Sequence, residues 1–234
     1  MSLPVGHAKY PPRTPHFPYP EAERISIGRD WYALSSNLAP GTPFTWGLNL
    51  KSLNMGETVQ QARLLAKTFR HDNDLELEAI EIGNEPEYYH KPDSGGGVKN
   101  PGDFTAWSPR NYTQTWTQYA KAVLHEFEDK KQPALRIGEV QSAGLAEGWA
   151  PQSLFQAGLL DDALARDHLG VYSEHMYQTT YIVGRKVHAG ELMDKFNTRG
   201  NISRRVSDVQ ACRRANLTFV LVSAVRAGRQ ALIL

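Results

Sequence analysis

The chain has 234 residues, 41% hydrophobic and 22% charged, with a formal net charge of +1, the profile of a globular protein able to bury one sizeable core. Near-neutral charge gives no reason to expect nucleic acid or a membrane surface as a partner, and no run approaches the ~20 apolar residues of a membrane-spanning helix. The one cysteine, Cys212, excludes an internal disulfide framework.

Residues 1–20, rich in Pro, His and Tyr, read as an irregular lead-in without the apolar core of a signal peptide. After the turn signal Gly-Thr-Pro, FTWGLNL (44–50) has the aromatic and apolar content of a buried strand. GETVQQARLLAKTF follows, with Ala62, Leu65, Ala66 and Phe69 at helical spacing. LEAIEIGN is a second strand, and HKPDSGGGVKNPGDF a flexible loop that lacks the Lys-Ser/Thr of a phosphate loop. In SPRNYTQTWTQYAKAVLHEFEDK, Ser108 stands at the N-cap and Pro109 at the first helical position. Then come ALRIGEVQ as strand, PQSLFQAGLLDDALA as helix, LGVYSEHMYQ as strand, NISRRVSDVQACRRAN as helix and LTFVLVSAV as strand. Alternation of this kind, with near-continuous apolar strands, implies a parallel sheet covered by helices. Polar chemistry at successive strand ends points to a (β/α)8 TIM barrel, of which about the middle five strands are present.

The chemistry centres on EAIEIGNEPEYYH (78–90). Alternation puts Glu81, Gly83 and Glu85 on one face and Ile80 and Ile82 on the other, and Pro86 stops the strand. A carboxyl at the mouth of such a barrel, partly desolvated, can protonate the leaving oxygen of a glycosidic bond. Asn84, beside it, is placed to hold a sugar hydroxyl. The bland alternative is a glutamate that merely caps the following turn.

EIGNEPEYY resembles the acid/base strand of retaining glycosidases built on (β/α)8 barrels. Taken in order, GTPFTWGLNL, EIGNEPEYY, WSPRNYTQTWTQYAKAV and YSEHMYQ are similar to glycoside hydrolase family 79, the β-glucuronidase and heparanase-like enzymes of fungal type. The resemblance covers residues 21–221, an incomplete catalytic domain, and leaves 222–234 as a divergent tail. It implies that Glu85 is the general acid/base and that Asn84 holds the substrate's 2-hydroxyl. It also implies that His175 and Tyr177, which share a face with Ser173, surround the nucleophile and the sugar. The implied partner is a glucuronide or related glycan, with no metal or organic cofactor, and the implied location is extracellular, although no signal peptide is seen. Asn-x-Ser/Thr sequons at Asn111, Asn201 and Asn216 fit a glycosylated protein.

The pattern breaks at LTFVLVSAVRAGRQALIL. Retaining hydrolysis needs a second carboxylate about 5–5.5 Å from the first. In the family a Gly-Glu continues this strand, whereas here Val222 and Ser223 stand in its place. The expectation is a truncated and inactive enzyme, or else a non-catalytic carbohydrate-binding remnant. Its open half-barrel should leave edge strands unpaired and favour association. Glu139, near the end of the next strand, is a rival carboxylate. Glu174 should face the helices, and Glu87 and Glu147 read as solvated loop charges. His125 and Glu126 lack the second histidine of a helical zinc motif. Arg204, Arg205, Arg213 and Arg214 flank a core-facing stripe of Ile202, Val206, Val209 and Cys212, giving a solvated basic face or a grip on acidic glycans.

Overall fold

The computed structural model describes residues 27–71, 76–89, 107–127, 134–140, 148–176, 190, 193–225 and 228–233. The chain is an α/β protein built on one six-stranded sheet: β1 (Pro43–Leu48), β2 (Glu76–Ile82), β3 (Ala134–Val140), β4 (Leu169–Met176), β5 (Thr218–Val225) and β6 (Gly228–Ile233). Neighbours in the sheet are neighbours in the chain. The first five strands are parallel and β6 returns antiparallel along β5.

All five expected strands form within a residue or two of the apolar runs that announce them. The sixth was not expected. Its hairpin arises inside the segment read as a divergent tail, and it pairs the edge of β5 that an open half-barrel was expected to leave bare.

Among the described residues the α-helices include α1 (Arg29–Ala33), α2 (Met55–His71), α3 (Pro109–His125), α4 (Pro151–Gln156), α5 (Ala163–His168), α6 (Lys195–Ser203) and α7 (Val206–Arg214). Right-handed crossovers between parallel strands laid down in one direction bring their helices to a single face. The core shows that face: Leu48, Ile80, Ile82, Leu135, Tyr172, Phe219 and Leu221 are buried in one cluster with Ala62, Leu65, Trp116, Ala120, Leu154 and Cys212 from the helices. Register agrees, since Leu48 pairs with Ile82, Ile80 with Leu135, and Tyr172 with Phe219. Tyr32 of α1 extends the layer by stacking on Trp46, with ring centroids 5.0 Å apart. The opposite face carries Glu81, Ser173, His175, Val220 and Val222.

Two expected helices are each two helices. The run from Pro151 breaks at Gly158, whose φ of +102° is open to glycine but strained for other residues, and Asp162 starts α5 by accepting from the Ala165 N–H. The arginine-rich run begins earlier, at Lys195, and breaks at Arg204 and Arg205. Arg205 is buried instead of solvated, and Val206 is 52% exposed instead of core-facing.

Candidate active site

Strand β2 ends at Ile82, three residues short of Glu85, so alternation does not set the direction of that carboxylate. The Gly83 N–H still donates to the Leu48 carbonyl at 3.0 Å, but Gly83 has φ +87° and the chain turns away from the sheet there. Asn84 is exposed. Glu85 itself is left-handed, with φ 47° and ψ 54°, before a 3-10 turn at Pro86–Tyr88. A non-glycine residue held there carries backbone strain, so the surroundings must impose it.

An aromatic clamp supplies the constraint. The Tyr89 hydroxyl accepts from the Asn84 N–H at 3.1 Å, and the Trp107 indole N–H donates to the Pro86 carbonyl at 2.8 Å. The Tyr89 and Trp107 rings stack with centroids 5.6 Å apart, and Trp107 meets Tyr112 edge-on at 6.1 Å. Burial, more than the neighbouring carboxylates Glu87, Glu81 and Glu85, pushes the Tyr89 phenol well up, so it stays a neutral hydroxyl. Glu87, expected as a solvated loop charge, is buried at the base of this turn because Pro86 and the 3-10 geometry roll it inward.

The left-handed turn delivers Glu85 to β4. Its Oε1 lies 2.6 Å from Nδ1 of His175, with side-chain exposures of 26% and 6% respectively. A proton on Nδ1 makes this a short, charge-assisted bond donated by the imidazole to the carboxylate. The pairing unites two expected site residues that are 90 positions apart. Asn84 stays beside them in the same turn with its side chain in solvent. Tyr177 lies outside the described residues, as do Glu147, the loop after Tyr89 and the side chain of Glu139, whose backbone belongs to β3.

Beside His175 in register, on β5, is Val222, 4% exposed; Ser223 pairs with Met176. The β5 neighbour of the Glu85–His175 pair is therefore an apolar side chain, and neither Val222 nor Ser223 supplies the second carboxylate that retaining hydrolysis needs. Glu174 points the other way, into the helix layer, fully buried and 2.9 Å from Arg205 Nη1. That ion pair was not anticipated. An apolar helix stripe was read across Arg205, and only the odd placement of a glutamate inside a buried strand hinted at a partner. Cys212 is buried in the core as expected, with its thiol pushed up to about 12 by burial and by the nearby Glu174 and Asp208.

Among the described residues no group of three or more His, Cys, Asp or Glu side chains is arranged to hold a metal ion, and no helix is long and apolar enough to cross a membrane. Compared with known proteins, the chain matches no family model and no curated protein.

Proposed function

We propose that the chain carries the acid/base half of a sugar-cleaving site of the β-glucuronidase type, on part of a (β/α)8 barrel. The observation that carries this reading is the 2.6 Å contact between Glu85, past the end of β2, and His175, near the end of β4. It gathers a carboxyl and an imidazole from non-adjacent strands at the C-terminal edge of a parallel sheet, where barrel enzymes keep their chemistry. Five parallel strands in chain order with helices on one face support the barrel reading. The exposed sequon residues Asn111 and Asn216 are compatible with a secreted glycoprotein.

In this reading Glu85 takes up a proton on the oxygen away from His175 and donates it to the leaving oxygen as the bond from C1 breaks, while the Nδ1–H of His175 keeps the carboxyl aimed through Oε1. Asn84 holds the 2-hydroxyl of the bound sugar. The other half of the reaction needs a nucleophile on the opposite face of the sugar, and Val222 and Ser223 stand on β5 where the resemblance would put the Gly-Glu that supplies it. The chain therefore binds a glucuronide without hydrolysing it.

A second reading, a sugar-binding remnant with no catalytic capacity, is favoured by the same Val222. Azide separates the two. In a Val222→Ala variant given phenyl β-glucuronide, azide attacks C1, the C1–O bond breaks, and Glu85 transfers its proton to the departing phenolate. Azide-dependent phenol release that falls at least about 100-fold on adding Glu85→Gln supports the first reading. Glucuronide binding by calorimetry without such release supports the second. Absence of both overturns the sugar-site proposal.

A further inference from the structure

Strand β4 carries ionisable side chains on both faces at consecutive residues, and each meets an ionisable partner. On the site face His175 meets Glu85. On the helix face Glu174 is fully buried against Arg205, whose side chain is only 4% exposed, at 2.9 Å. Arg205 occupies the corner between α6 and α7. Its N–H donates to the Ile202 carbonyl and its carbonyl accepts from the Val209 N–H, so its backbone is fixed by both helices. Asp208, one turn further along α7, approaches the same guanidinium nitrogen at 4.0 Å.

A buried ion pair is a poor source of net stability, because desolvating both charges offsets most of their attraction. It does supply direction. Side chains alternate across a strand, so a restraint on Glu174 fixes the roll of β4 about its own axis and hence the aim of the next residue. We propose that Arg205 is a positioning residue for the candidate site: by holding Glu174 from the helix layer it sets the direction in which His175 meets Glu85. Among the described residues, Cys212 and Tyr172 lie near Glu174 beside Arg205, and Asp208 lies near Arg205. Burial keeps the thiol and the phenol protonated, and the Arg205 guanidinium is a cation seated against Glu174.

The functional meaning of this inference rests on the proposed sugar site, but its test does not. In the full chain, nitrogen NMR of the imidazoles reads the titration midpoint and tautomer of His175. Glu85→Gln supplies the reference, removing the carboxylate and lowering the midpoint. Arg205→Met is expected to move the midpoint in the same direction by at least about half a pH unit, and Arg205→Lys to restore part of the difference. Because Arg205→Met removes a cation from beside the buried Glu174 and can fail to fold, the double variant Glu174→Leu with Arg205→Met is measured beside it. The double variant keeps the volume filled with apolar atoms, and Asp208 retains its hydrogen bonds from Gln152 and Ser207. A folded double variant with the wild-type midpoint and tautomer overturns the proposal and reduces the pair to packing. A shifted midpoint in a chain that binds no glucuronide leaves the positioning role standing and removes only the sugar-site reading.

Discussion

A left-handed turn, not the alternation of β2, aims the Glu85 carboxylate at His175. Asn-Glu-Pro after an apolar strand marked Glu85 as a candidate carboxylate, but counting by twos along β2 assumes that the strand continues, and it stops at Ile82. What turns Glu85 toward His175 is a left-handed residue held by a tyrosine and a tryptophan, and Trp107 lies 21 positions beyond the Pro86 carbonyl it binds. Such a clamp has no local signature. Gly83 does have one, because a glycine before Asn-Glu-Pro allows the positive φ the turn needs. A Cβ there would sit 3.0 Å from the Tyr89 hydroxyl and 3.1 Å from Leu50. Gly83→Ala is expected to cost about 1–3 kcal/mol in urea unfolding and to weaken any ligand bound at Glu85 by displacing Tyr89. An unfolding midpoint equal to wild type would show that the turn relaxes freely.

At the scale of elements, every expected strand and the two long helices were legible because their period is unbroken over many residues, as at Ala62, Leu65 and Ala66 on α2, all buried. The short helices were not. Apolar spacing runs through Gly158 and Asp162 without interruption, while backbone geometry stops α4 and restarts α5 between them. Asp162 caps α5 and is held by the Lys121 ammonium, and the hydrogen bond to that ammonium, followed by the one from the Ala165 N–H, lowers its carboxyl below the usual aspartate range. The folded protein therefore holds this proton less tightly than the unfolded chain. The contribution is present above the ordinary aspartate pKa of about 3.9 and is lost as pH falls below it. Asp162→Ala is expected to lower stability by about 1 kcal/mol at neutral pH. The gap from wild type should narrow below about pH 4, as followed by thermal melts across that range; a gap independent of pH would place the effect in the backbone alone.

For the whole molecule, the sequential parallel order was legible and β6 was not, since a short apolar run after Arg-Ala-Gly carries no helix or strand period of its own. Adding β6 moves the sheet's edge outward without removing it. Among the described residues β1 and β6 each pair on one side only, so both present backbone groups able to pair with another chain. Sedimentation equilibrium is expected to show an apparent mass that rises with concentration, and a monomer across the micromolar range would show that both edges are covered.

The 90-residue separation between Glu85 and His175 also makes their meeting a late event in folding. Closing a loop of that length directly costs about 4 kcal/mol in chain entropy, so the economical route lays β3 against β2 and then β4 against β3. Until β4 docks, a nascent chain that already contains Glu85 has no Glu85–His175 pair. A ligand bound at the proposed site would therefore count only molecules in which three consecutive strands, β2 to β4, have been assembled in order, and its binding would be a kinetic marker for that assembly.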